Sequence, residues 1–343
     1  MIVRPADVHD SPAIRTFLEK TVSSSLYHDY RWGVVIGKSF SHASYYLIGE
    51  DEGKRICGVL PLVHLRSRIF GNLMVSMPFF NYGGVCAENR LVRTLLIEKA
   101  VDIARDTGVS HIEFRQDAPL IDGFPVKTTK ASMRLNLPQS ADDLWKSFPS
   151  KLRSQIKRPQ KSGLVSRISG IEGLKNFHKV FSICMRDLGT PVYPVSFFRN
   201  IMEQFSDRTW ICTVYNGDMP ISSGFLIGYK NKMEIPWAGS IKTFNRLSPN
   251  MLLYWGCLQH ACDKGYAEFD FGRSTIGEST YKFKEQWGAK PFQLYWYYWM
   301  SNEGALPDIT PGNPKYKFAI EVWKKLPLSV TNVLGPKIVK NIP

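Results

Sequence analysis

The sequence predicts an α/β protein of two similar units in tandem, each a mixed sheet flanked by helices. Three observations predict it. The chain has 343 residues, which fits two domains at roughly 100–200 residues each. Strand-like alternation and helical apolar stripes follow one another in both halves. One order of elements, namely helix, hairpin, strand, helix, strand, occurs twice.

The first copy opens on a helical stretch, Ser11–Val22. Ser44–Gly49 and Ile56–Leu65 form a hairpin around the polar turn Asp51-Glu52-Gly53. Met74–Phe80 is apolar and strand-like, and Asn81-Tyr82-Gly83-Gly84 breaks it. From Leu91 to Arg105, Val92, Leu96, Ala100 and Ile103 share one helical stripe, and Gly108 closes the helix. His111–Arg115 alternates as a strand.

The second copy repeats the order. Ile171–Leu188 is helical, and Trp210–Tyr215 and Ile221–Tyr229 flank the hairpin signal Asn216-Gly217-Asp218. Met233–Ala238 is broken by Gly239-Ser240. Ser248 is placed as an N-cap and Pro249 as the first helical residue. Met251, Tyr254, Trp255, Leu258 and Cys262 make the stripe, Gly265 ends the helix, and Ala267–Phe271 is the next strand. Even the helix exits match, Asp106-Thr107-Gly108 against Asp263-Lys264-Gly265. A duplicated domain is the reading, with chance similarity of two ordinary α/β modules as its alternative. The domains are placed at 1–140 and 141–300, the second with a basic lead-in segment 146–167. The tail, 301–343, is read as packing on the first domain.

The net charge of +14 is clustered and favours a polyanionic partner. No acidic residue occurs from Leu144 to Ile171. Lys151, Arg153, Lys157, Arg158 and Lys161 are the candidate nucleic-acid contacts there. Arg153, Lys157 and Lys161 stand at i, i+4 and i+8, one helical face suited to phosphates or simply to solvent. Pro159 is expected to kink or end that helix. In the tail, Lys315–Lys340 mixes Trp323, Leu326, Leu328, Val330, Val333 and Leu334 with six lysines. Besides packing back on the first domain, such a segment suits an anionic membrane face.

Other classes are excluded. Met1–Asp7 carries charges at once and is not read as a signal peptide. No stretch approaches the roughly 18 consecutive apolar residues that span a bilayer. The expectation is a cytoplasmic protein, at most at the inner face of the membrane. The six cysteines (Cys57, Cys86, Cys184, Cys212, Cys257, Cys262) form no CxxC pair and are read as small buried apolar residues in a reducing compartment. The histidines show no metal-ligand spacing, and no Gly-x-Ser-x-Gly elbow occurs. A group-transfer reaction here would therefore run by direct transfer, without metal or covalent intermediate.

Three passages carry a resemblance. They are Gly58–Leu62 continuing through Arg66–Gly71 to Pro78–Gly84, then Ile156-Lys157-Arg158-Pro159-Gln160-Lys161-Ser162-Gly163, and Phe269–Ser274 followed by Tyr281-Lys282-Phe283-Lys284-Glu285-Gln286-Trp287-Gly288. Together they resemble the FemAB-type (FemA/FemB/FemX-like) acyltransferases, and most of all the branch associated with exosortase and PEP-CTERM exopolysaccharide systems. The resemblance spans almost the whole chain. It implies two tandem GNAT-like domains and transfer of an aminoacyl or other acyl group onto an envelope or exopolysaccharide-related acceptor, as in peptidoglycan precursor branching. The implied donor is aminoacyl-tRNA or acyl-CoA, with no further cofactor. The alternatives are an acyl-CoA-dependent N- or O-acetyltransferase and a non-catalytic module docking on RNA or membrane. The chain departs from the family in lacking a coiled-coil arm and in having Pro159 where Ala is usual.

Candidate site residues follow. Lys284 matches the family lysine near the transferred group, and its ammonium would meet an oxyanion or a donor phosphate. Asp270 would take a proton or orient an amine, and Arg273 would clamp a phosphate or carboxylate; alternatively the two close the Gly272 turn as a pair. Asn81, Tyr82, Arg115 and Tyr281 are candidate cleft residues, Arg115 alternatively pairing with Glu113 or Asp117. Ser248 and Asn250 open a helix whose free amides suit an anion. The segment Arg246–Met251 lacks the glycines that would wrap a pyrophosphate, which counts against CoA.

Overall fold

The computed structural model describes residues 1–119, 122–302, 304–307 and 314–343. In chain order the elements are β1 (Ile2–Pro5), α1 (Ser11–Lys20), α2 (Arg31–Phe40), β2 (Ala43–Glu50), β3 (Ile56–Ser67), β4 (Gly71–Val75), β5 (Cys86–Ala87), α3 (Arg90–Thr107), β6 (His111–Gln116) and β7 (Val126–Lys127). They continue with β8 (Lys130–Asn136), α4 (Ala141–Ser147), α5 (Ser150–Lys161), β9 (Leu164–Ser169), α6 (Leu174–Leu188), α7 (Val195–Gln204), β10 (Thr209–Asn216), β11 (Met219–Tyr229) and β12 (Lys232–Ser240). The last are α8 (Pro249–Asp263), β13 (Glu268–Thr275), α9 (Ser279–Glu285), β14 (Lys290–Gln293), β15 (Tyr295–Met300), α10 (Pro314–Lys325) and α11 (Leu328–Val339). Two compact units result: Met1–Ala131 with Gln293–Ile309 and Lys340–Pro343, and Ser132–Phe292 with Thr310–Val339.

In the first unit the sheet order is β1-β2-β3-β4-β6-β15-β7, with β5 on β3. β1 to β4 are antiparallel neighbours. β4 and β6 are parallel, and they pair only over Met74↔Ile112 and Val75↔Glu113. Asn89 caps α3 by accepting from the Val92 amide, and Gly108 ends it in the left-handed region. That helix buries Val92, Leu96, Ala100 and Ala104 against Leu60, Leu62, Met74 and Ile112. The fit needs Gly58, where a Cβ would stand 2.7 Å from Val92. On the other face α1 packs Ile14, Phe17 and Leu18 on Ile48 and Val59.

In the second unit the order is β14-β8-β13-β12-β11-β10-β9. β9 to β12 are antiparallel, and β12 and β13 are parallel over Lys232↔Glu268, Met233↔Phe269 and Glu234↔Asp270 alone. α8 covers one face with Met251, Leu252, Leu258 and Ala261 on Met233, Ile235, Phe269 and Phe271. α6 and α7 contribute Phe177, Phe197 and Phe198, whose rings meet Phe225 and Trp237 edge-on or tilted, and Phe181, which stands edge-on to Phe198.

Four local expectations change. Met74–Phe80 is not one strand: β4 stops at Val75, and Met77 and Phe80 are buried in a loop where Phe79 has φ 73°. Their apolarity records burial and not pairing. Ser248 has φ 55° and makes no side-chain cap bond. Pro159 does not end α5, which runs on to Lys161; in the last turn a proline costs only one intrahelical bond.

The fourth change concerns the boundaries. β8 joins the second sheet, because Met133 alternates into the core under α8. β15 joins the first sheet, because Tyr297 fills the core under α3. The tail differs as well. Residues 303 and 308–313 of it lie outside the described residues, and α10 and α11 lie against α6 in the second unit instead of on the first. The cause is close packing: Ile320 of α10 meets Gly189 at the end of α6, and Gly335 of α11 sits against Val192. All six cysteines are free and buried.

Candidate active site

Where two parallel strands diverge, a wedge opens at their carboxyl ends, a common ligand place in α/β sheets. Both sheets have such a divergence, and its two versions differ in what fills it.

In the first unit the wedge between β4 and β6 is filled by the loop after β4. The Ser76 amide donates to the Glu113 carbonyl at 2.9 Å, and the chain then turns in. Arg115, 1% exposed, donates from Nη1 to the carbonyls of Phe80 at 2.7 Å and Met77 at 3.4 Å. Its Nε donates to Glu113 at 2.6 Å, and its guanidinium lies 4.4 Å from the Trp296 ring centre. Tyr298 donates to the other Glu113 oxygen at 2.8 Å. Burial pushes the Glu113 carboxyl up, but the Arg115 charge and the Tyr298 hydroxyl outweigh it and hold it below the usual range. Of the sequence alternatives for Arg115, pairing with Glu113 is the one seen. Tyr82 is buried with its ring edge on Tyr27, and Asn81 accepts from the Trp296 indole at 3.0 Å. Arg115 and Tyr82 therefore belong to a packed plug, to which half-buried Asn81 is joined through its backbone carbonyl.

In the second unit the last paired step sets Glu234 opposite Asp270, both buried. Two facing carboxylates need cations or donors. Asp270 accepts from Ser132 Oγ at 2.6 Å to each oxygen and from the Gly272 amide at 2.8 Å. The bond to Gly272 closes a turn at φ 75° that favours glycine. Arg134 Nε lies 3.6 Å from Asp270. The arginine at this carboxylate is thus Arg134, and Arg273 has an exposed side chain. Held by the Ser132 hydroxyl and the Gly272 amide and fully buried, Asp270 fixes the turn.

Lys284, 7% exposed, reaches from α9 to the same turn. Its Nζ donates to the carbonyls of Gly272 and Arg273, each at 2.9 Å. Burial pulls its pKa down to about 8, against the opposing pull of Asp270 and Glu234 and with help from Arg273. An ammonium carries three donors; two go to carbonyls, and the third has no partner among the described residues. The surrounding motif explains the placement. Phe283 and Trp287 pack near Tyr254 and Phe271 in the α8 core, and half-buried Tyr281 packs beside them, which leaves Lys284 directed at β13. Ser274, two residues past Gly272, has a buried hydroxyl with no hydrogen-bond partner among the described residues.

The basic helix α5 borders the start of α8. Leu152, Ile156 and Pro159 are buried, while Lys151, Lys157, Arg158 and Lys161 are exposed and Arg153 is half-exposed. Arg158 donates to the Arg246 carbonyl at 3.2 Å. Lys157 lies 5.7 Å from the Trp145 ring centre. At the helix start Pro249 has no amide to offer and the Met251 amide already serves Ser248. Asn250 accepts from the Ser240 hydroxyl. Ser248 and Asn250 therefore give no open anion nest of their own.

Sequence reasoning missed Ser132, Arg134 and Glu234. A signal for the first two exists: β8 alternates Ala131, Met133 and Leu135 with Ser132, Arg134 and Asn136. Among the described residues, no cluster of His, Cys, Asp or Glu could hold a metal ion, and no helix is long and apolar enough to cross a membrane.

Residues 146–284 match the acetyltransferase (GNAT) domain family. This stretch is thus similar to GNAT acetyltransferase domains. It contains the diverging strands, the basic helix and, as its last residue, Lys284. No curated protein matches the sequence. Among solved structures the chain is similar to FemX at 15% identity and TM-score 0.66, covering 93% of this chain and 100% of that one. It is similar to L-PGS from Bacillus licheniformis at 12% identity and TM-score 0.57, covering 98% and 99%. A tandem GNAT protein from the clavulanic acid biosynthesis pathway aligns at 10% identity and TM-score 0.55, covering 89% and 99%. These likenesses show the fold: two mixed α/β units of the tandem GNAT kind.

Proposed function

We propose that this protein is an acyltransferase whose chemistry occurs in the second GNAT unit, at the end of the β12–β13 wedge, by direct transfer of an acyl or aminoacyl group to an amine. The observation that carries the reading is Lys284, a buried ammonium pinned over the Gly272 turn with one donor uncommitted. In direct transfer the amine attacks the donor carbonyl, a tetrahedral oxyanion forms, and the leaving group departs with the proton that the amine gives up as the carbonyl re-forms. The free N–H of Lys284 is suited to the oxyanion, because a donor fixed in a desolvated site needs no reorganisation when charge develops. Asp270 holds the turn that presents it. Ser274, buried and unpaired, is suited to a polar group of the bound substrate.

For the donor, aminoacyl-tRNA is the favoured reading. The exposed lysines of α5 continue to the start of α8 through Arg158, so a polyanion has a basic path to the wedge. The start of α8, without glycine and with Pro249 first, offers little backbone for a pyrophosphate. The acceptor class, an envelope or exopolysaccharide-related precursor of the PEP-CTERM-associated kind, rests on the resemblance to FemAB-type proteins. Acyl-CoA remains the second reading, favoured by the match to acetyltransferase domains.

The test is binding of the full chain to aminoacyl-tRNA and to acetyl-CoA, side by side over a salt series. Tight tRNA binding that falls steeply with salt supports the first donor. Saturable acetyl-CoA binding with little salt dependence, and no tRNA binding, replaces it by the second.

A further inference from the structure

The second unit ends in two helices whose outward faces have no role in the site described. Phe318 is 82% exposed and Val333 62% exposed, with Val322, Val330 and Leu334 also exposed. On α10, Phe318 and Val322 are one turn apart, and Lys325 completes the same face with Lys317 beside it. On α11, Val330, Val333, Leu334 and Lys337 share the face opposite buried Thr331, Gly335 and Val339. Both helices have their backs on α6, so both apolar faces are directed away from it.

We infer that the outward faces of α10 and α11 dock the protein on an anionic lipid bilayer, with the apolar residues in the headgroup boundary and the lysines at the phosphates. The charge decides the occupant. Residues 314–339 hold five lysines and one acid, Glu321, which pairs with Lys324 at 2.6 Å. A second copy of this face would set lysine against lysine. An anionic surface takes both the apolar side chains and the ammonium groups. The helices have 12 residues each, too short to span and long enough to lie on the surface. This inference is independent of the acyl-transfer reading.

The test is co-sedimentation of the full chain with phosphatidylglycerol–phosphatidylcholine vesicles and with pure phosphatidylcholine vesicles. Binding is expected only to the anionic vesicles, weakening with salt. The combined variant Phe318→Ser, Val322→Ser, Val333→Ser, Leu334→Ser keeps the net charge and is expected to lower partitioning about tenfold or more. Lys325→Glu with Lys337→Glu is expected to lower it by a similar factor. All six positions are solvent-exposed, and thermal melts of both variants check the fold. The inference is overturned if the serine variant binds anionic vesicles as wild type does, which would place binding elsewhere on the basic surface. It is equally overturned if wild type ignores both vesicles, or if the serine substitutions change only self-association of the free protein.

Discussion

The Arg115 guanidinium holds the carbonyl of Phe80 at 2.7 Å, and that bond keeps a loop inside the wedge of the first sheet. At the wedge of the second sheet Lys284 is tied to the Gly272 turn. Duplicated architecture therefore carries two different fillings, one a structural plug and the other a buried cation with a donor to spare.

The plug is expected to contribute stability. Arg115→Met leaves the buried Glu113 carboxylate without its cation, at a cost of about 3–5 kcal/mol. Urea denaturation should show the loss, and it should be smaller for Arg115→Met combined with Glu113→Gln. The plug also carries a pH signature. Glu113 is held below its usual range, so its stabilising effect is present above the unfolded carboxyl value and is lost as pH falls toward the folded one. An acid-unfolding midpoint unchanged by Glu113→Gln would count against this assignment.

The basic helix α5 is expected to govern polyanion affinity. Reversing Lys151, Lys157 and Lys161 to Glu changes exposed residues only and should leave the melting temperature nearly unchanged. Binding to tRNA should weaken, and the slope of log K against log salt should shrink by about 1 for each phosphate that is no longer neutralised. An unaltered slope would mean that these lysines face only solvent.

Much of this organisation was legible in the sequence. Val92, Leu96 and Ala100 recur at helical spacing because α3 presents one face to the sheet, and the glycines after α3, β10 and α8 mark real turns. The match of Lys284 and Trp287 to a family motif singled out the lysine that the structure ties to the Gly272 turn. What stayed hidden is non-local. Nothing near Asp270 in sequence points to Ser132 or Arg134, which arrive on a strand more than a hundred residues earlier. Apolar Met77 and Phe80 read as strand because burial in a loop and burial in a sheet leave the same composition. The strand β15 returns to the first unit through aromatic packing that no local pattern announces.

Ser274 gives a separate prediction. A buried hydroxyl without a partner is unfavourable in the free protein, so Ser274→Ala is expected to raise stability by about 1 kcal/mol while weakening substrate affinity. Thermal melts and ligand titration on one preparation check both halves. Loss of stability with unchanged affinity would make Ser274 a packing residue only.

Lys284 sets the pH behaviour. Its ammonium titrates near 8 in the folded protein against 10.5 for a free lysine. Between those values the unfolded chain holds the extra proton, so the cost of burying the charge is full below pH 8 and fades toward 10.5. Wild type should therefore gain stability relative to Lys284→Met as pH rises through that window. As an oxyanion donor the lysine must be charged, and kcat/KM should fall above about pH 8. A profile that keeps rising through pH 9 would assign the lysine to base catalysis.

The most direct measurement is transfer by wild type and Lys284→Ala on the donor that binds, aminoacyl-tRNA or acetyl-CoA, with both proteins shown to be folded at the assay temperature. The account predicts that kcat falls about 100-fold or more with donor affinity little changed, the order seen on removing one oxyanion donor. Turnover within a fewfold of wild type would contradict it and would leave Lys284 as a brace for the Gly272 turn.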